Sequence, residues 1–85
     1  MPLRLHPDVV ATDTDDGTVL LNERTGRYWQ LNSTGAQVLR QLLDGHEATR
    51  IAADVADRHR IDHHRAELDV TAVIAQLHAA QLVRT

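Results

Sequence analysis

Up to about residue 32 the apolar positions of this chain fall in short β-branched and aromatic runs separated by polar turns. Beyond that point they recur every third to fourth residue. Val9-Val10-Ala11 predicts a first short strand, and Thr12 to Gly17 reads as a polar turn closed by Gly17. Thr18 to Asn22 predicts a second strand. Arg24-Thr25-Gly26 is a short hairpin loop with Gly26 where a positive φ is needed. Arg27 to Leu31 then pairs back as a third strand, completing an antiparallel meander. Alternation puts Trp29 and Leu31 on one face and Tyr28 and Gln30 on the other, with Trp29 and Leu31 assigned to the core side.

The third strand runs almost directly into a helix. Asn32, Ser33 and Thr34 can all serve as caps, and Ala36, Leu39, Leu42 and Leu43 follow at helical spacing until Gly45 supplies a left-handed stop. This first helix spans roughly residues 33–44. A second, roughly 47–59, carries the thin stripe Ile51, Ala52, Val55, Ala56, and its alanines allow close approach of another helix. Arg58-His59-Arg60-Ile61 breaks the pattern and Asp62 is a candidate N-cap for a third helix over roughly 63–81. In that helix Ala66, Val70, Val73, Ile74 and Leu77 repeat at helical intervals, and Leu82 and Val83 are expected to pack the chain end onto the body. Three strands followed by three helices give an α+β layout, a three-stranded antiparallel sheet with helices covering one face.

If strand order follows chain order, the third strand is a sheet edge. Its outer N–H and C=O groups are then a template for adding a peptide strand. Arg27-Tyr28-Trp29-Gln30-Leu31 has one charge and two aromatics, and none of the proline, lysine or bulge devices that blunt natural edges. From the residues alone, a helix covering this edge or a fully buried Trp29 are equally compatible readings.

Composition narrows the function classes. At 85 residues the chain makes a single domain, 1–85, burying about 60–65% of its unfolded surface. It has no cysteine, hence no disulfide framework and no thiolate zinc site. No apolar stretch is long enough to span a membrane, and Met-Pro-Leu-Arg-Leu-His-Pro is too short and polar for a signal peptide, so a cytoplasmic location is expected. Every basic residue is arginine, and the formal net charge of −3 counts against a nucleic-acid binder.

No catalytic or metal chemistry stands out. Asp13-Thr14-Asp15-Asp16-Gly17 resembles a calcium loop only superficially: glycine is fifth rather than sixth, and Arg24 takes the place of the closing glutamate. The six histidines show no His-Glu-x-x-His spacing and no third carboxylate ligand, and read as surface residues. There is no nucleophile elbow or phosphate loop, and Ser33 reads as a cap. The first two helices, joined by Asp44-Gly45-His46-Glu47, could form a helix-turn-helix, which makes a winged-helix DNA-binding regulator the rival reading. Arg50 and Arg58 would serve such a role, but Glu47, Asp54 and Asp57 share their helix and would repel phosphate.

At the level of motifs, Leu-Leu-Asn-Glu-Arg-Thr-Gly-Arg-Tyr-Trp-Gln-Leu-Asn (20–32), Leu-Leu-Asp-Gly (42–45) and Asp-Val-Thr-Ala-Val-Ile-Ala-Gln-Leu-His-Ala-Ala-Gln-Leu-Val (69–83) resemble the PqqD-like peptide chaperones, the RiPP recognition elements. The Tyr-Trp-x-Leu-Asn form is most similar to the stand-alone recognition proteins of lasso peptide clusters. The resemblance runs from about Val9 to Val83. It implies a winged helix-turn-helix-like fold and a non-catalytic role, binding the leader of a precursor peptide without a cofactor or metal. It further implies strand addition to the third strand beside the third helix, and presentation of the precursor to a separate leader-cleaving protease and a cyclase. Carried onto this chain, Arg27, Tyr28, Trp29, Gln30 and Leu31 would supply the strand side, and Asp69, Val73 and Gln76 the opposite wall. Asp69 would hold a polar or basic leader group, while Val70, Ile74 and Leu77 would hold the helix on the sheet.

Overall fold

The computed structural model describes residues 3–84. In chain order its elements are β1 (Arg4–Leu5), β2 (Val9–Thr14), β3 (Gly17–Asn22), β4 (Tyr28–Asn32), α1 (Ser33–Leu43), α2 (Ala48–His59), α3 (His63–Ala79) and β5 (Val83–Arg84). β2, β3 and β4 form an antiparallel sheet in that order, and β1 pairs antiparallel with β5. The fold is therefore α+β, a three-stranded sheet followed by three helices, with a small second sheet tying the two ends together.

The sheet follows the predicted meander with two differences. β2 continues to Thr14, three residues beyond the predicted strand, because Thr12, Asp13 and Thr14 pair with Val19, Thr18 and Gly17. Cross-strand pairing overrides the turn preference of Thr-Asp-Thr, and only Asp15 and Asp16 remain as the turn. The Thr18 hydroxyl, buried at this end, donates to Asp13 Oδ1 at 3.0 Å. The second difference is at Arg27, predicted as strand but lying just before β4. The β1–β5 pair has no signature in the sequence, since two-residue strands carry no detectable periodicity.

All three helices start and stop close to expectation. The Asn32 side chain caps α1, accepting from Gly35 N–H at 2.8 Å, and Asp62 caps α3 through His64 and Arg65 N–H. Each helix ends in a Schellman arrangement: Leu42 O and Gln41 O accept from Gly45 and His46, Ala56 O from Ile61, and His78 O and Leu77 O from Gln81 and Leu82. Gly45 provides the left-handed residue of the first, but Arg60 (φ 54°) and Gln81 (φ 57°) provide it for the others. Gln81 thus ends α3 before the predicted residue 81.

The core is centred on Leu20, Val38, Ile51, Val55, Val70 and Leu77, all fully buried. Val38 lies outside the stripe predicted for α1, whereas Ile51, Ala52, Val55 and Ala56 of α2 are all buried as expected. α1 covers the sheet, packing on β3 and β4, while α3 packs mainly against α2, then α1 and β5. α3 is therefore held mainly on the other helices, whereas the sequence reading has Val70, Ile74 and Leu77 holding it on the sheet. That difference opens the molecule between β4 and α3.

Candidate functional site: the open strand edge and its groove

Sheet order leaves β4 as an edge. Among the described residues no helix covers it, since α1 packs over its inner face and α3 stands away. Between β4 and the C-terminal end of α3 lies a groove of about 390 Å³. One wall is Asn22, Arg24, Thr25, Arg27, Tyr28 and Trp29; the other is Gln76, Ala79, Ala80, Gln81 and Leu82.

The phase of the β3–β4 ladder determines which backbone groups this edge presents. Asn22 N–H donates to Arg27 O at 2.8 Å, so Asn22 and Arg27 form a hydrogen-bonded pair. Hydrogen-bonded and non-bonded pairs alternate in an antiparallel ladder. Leu20–Trp29 and Thr18–Leu31 are then bonded pairs, while Leu21–Tyr28 and Val19–Gln30 are not. The N–H and C=O groups of Tyr28 and Gln30 accordingly point away from β3, toward the open side.

The β3–β4 loop is built on Asn22. Its Oδ1 accepts from Arg24 N–H (3.0 Å) and Thr25 N–H (3.2 Å), and its carbonyl accepts from Gly26 N–H (2.8 Å). Gly26 takes φ 77°, and Thr25 Oγ1 accepts from Arg27 N–H at 3.3 Å. These bonds fix the loop so that Arg24 and Arg27 line one end of the groove.

Four of the eight candidate residues meet here: Arg27, Tyr28, Trp29 and Gln76. Gln30 is exposed further along the same strand, on the outer sheet face. Leu31 is buried beneath α1, its Cβ 3.3 Å from where a Cβ on Gly35 would stand. Asp69 lies two turns before Gln76, about 10 Å along the helix, and pairs with Arg65 at 3.6 Å instead of lining the groove. Val73, expected on the opposite wall, is half-buried against the core and is not in the groove lining. Trp29 lies on the inner side with Leu31, as alternation predicts, but it remains 37% exposed because α1 does not reach over it.

The sequence reading missed Asn22, Arg24, Thr25 and the segment from Ala79 to Leu82. The side chain of Asn22, as the last residue of a strand before a short loop, was the available signal for the first group. The second group depends on where α3 stops, and a left-handed glutamine carries no such signal.

The opposite side of the molecule is a polar seam between α1 and α2. Gln41 donates to Asp54 Oδ2 at 2.6 Å and lies 3.4 Å from His46 Nδ1, while Gln37 joins Gln41 to His59 at 3.1 Å on each side. Arg50, a candidate phosphate contact in the rival reading, is 3.9 Å from Asp54. Among the described residues no grouping of three His, Asp or Glu side chains could hold a metal, and no helix is long and apolar enough to cross a membrane.

Residues 17–83 match the family of Coenzyme PQQ synthesis protein D (PqqD). No curated protein sequence matches the chain. Among solved structures it is similar to a lasso peptide synthetase B1 complexed with the leader peptide, at 34% identity and TM-score 0.90 over 100% of both chains. It is also similar to TbiB1 in complex with the TbiA(beta) leader peptide, at 25% identity and TM-score 0.82, over 95% of this chain and 94% of that one.

Proposed function

The chain belongs to the PqqD family, and from that premise we propose that it binds the leader region of a ribosomally made precursor peptide of lasso type. The leader adds as a strand to β4 and lies in the groove beside α3. The observation that carries this reading is an uncovered edge strand whose outward N–H and C=O groups border an apolar-and-polar groove. The two similar structures support it, since each holds a leader peptide.

The mechanism follows from strand addition. Backbone bonds to Tyr28 and Gln30 supply affinity with little demand on sequence, and side chains entering the groove supply selectivity. The protein takes no part in bond making. It presents the precursor to a separate leader-cleaving protease and then a cyclase, raising the local concentration of the segment they act on. A constant leader is thereby recognised in place of a short, variable core.

The test is a titration with the leader of the nearest encoded short precursor, following Trp29 fluorescence and the polarisation of labelled leader. Trp29 is the only tryptophan and lines the groove. A saturable change in both signals is expected; silence in both would refute the reading.

A further inference from the structure

Accepting that the groove takes an extended peptide, we infer that it selects an acidic side chain two positions from an apolar one, with Arg27 as the specificity-determining residue. Among the described residues the groove lining contains two arginines and no carboxylate, on a chain whose formal net charge is −3. Its positive charge is therefore local and opposes the overall field. Arg24 is partly neutralised, its Nε 3.6 Å from Asp8 Oδ2, but Arg27 has no ion pair among the described residues.

Register supplies the spacing. Arg27 remains opposite Asn22 through the Asn22 N–H to Arg27 O bond, so it continues the alternation of β4 and shares the groove side with Trp29. A strand laid against β4 presents every second side chain to the groove. One such residue meets the apolar surface of Trp29, Ala79 and Leu82, and the next on that side meets Arg27. The wall formed by the C-terminal turn of α3 carries the negative end of the helix dipole, which disfavours a carboxylate there. An Asp or Glu is thus directed to the arginine end.

The test is selection of a displayed library of random dodecapeptides on the immobilised full chain, repeated with Arg27→Glu and Arg27→Gln. For the wild type, enriched peptides should share an apolar residue with Asp or Glu two positions away. Arg27→Gln should lose the acidic preference and Arg27→Glu should replace it with Lys or Arg. A synthetic acidic winner should bind Arg27→Glu about twofold to fivefold more weakly, the range for one exposed ion pair. Enriched peptides without an acidic preference would overturn this inference and leave strand addition intact. No enrichment against any form of the protein would overturn both.

Discussion

Leu20 and Trp29 stand directly opposite each other across the β3–β4 ladder, yet Leu20 is fully buried and Trp29 is 37% exposed. They share a sheet face, so the contrast arises from the helices above it: α1 covers the centre and stops short of the edge. The inner face of the sheet is thus divided between a core and a groove within a single cross-strand pair.

Truncating the two residues should separate stability from binding. Leu20→Ala leaves a cavity in an enclosed site and should cost roughly 2–5 kcal/mol. Trp29→Ala should cost less than about 2 kcal/mol, since water already reaches the ring. Leader affinity, by contrast, should fall about tenfold in Trp29→Ala, as expected for an aromatic anchor. Urea denaturation together with leader titration would check both; equal losses of stability would contradict the division.

Gly17 is required for a different reason. It takes φ 155° opposite Asn32, and a Cβ there would collide with the Leu31 carbonyl oxygen and come within 2.8 Å of Asn32 carbonyl carbon. Gly17→Ala should cost about 3 kcal/mol or more by forcing β4 away from β3. Gly26→Ala, where nothing lies within 4 Å, should cost only about 1 kcal/mol for its positive φ. Denaturation midpoints of the two variants give the comparison.

Two helix ends offer stabilising changes. Arg60 and Gln81 hold left-handed conformations that glycine adopts without strain. Arg60→Gly and Gln81→Gly should each raise stability by about 0.5–1 kcal/mol. A fall in thermal midpoint for both would show that these side chains make contacts outweighing the strain.

These same positions show where the sequence stops being readable. Asn32, Asp62 and Gly45 act as their chemistry indicates, and the stripes on α2 and α3 are buried nearly as their spacing predicts. The strand edge at Arg27 to Leu31 was visible too, because sheet order follows chain order. The opposite groove wall was visible only at Gln76. Asp69 and Val73 lie along the right helix, but periodicity gives a residue's face and not how far a helix stands from a neighbouring strand. Only the packing of α3 on α2 reveals that its last turn, from Gln76 onward, borders the groove.

Backbone chemistry makes a sharp contrast between neighbours in β4. Proline at an edge position whose N–H faces outward preserves the sheet, whereas at an inward position it removes a ladder bond. Gln30→Pro should therefore keep the fold but lower leader affinity at least about tenfold, because one strand-addition bond becomes impossible. Leu31→Pro should unfold the protein, since Leu31 is buried and its N–H belongs to the β3 ladder. Circular dichroism and leader binding on the two variants distinguish these outcomes.

The most direct measurement is residue-resolved amide hydrogen exchange with and without the leader of the nearest encoded short precursor at saturating concentration. Trp29 and Leu31 N–H should be protected in both states by the β3 ladder. Tyr28 and Gln30 N–H should exchange rapidly in the free protein and become protected when the leader binds. Saturating leader that leaves Tyr28 and Gln30 exchanging at their free rates would contradict strand addition to β4.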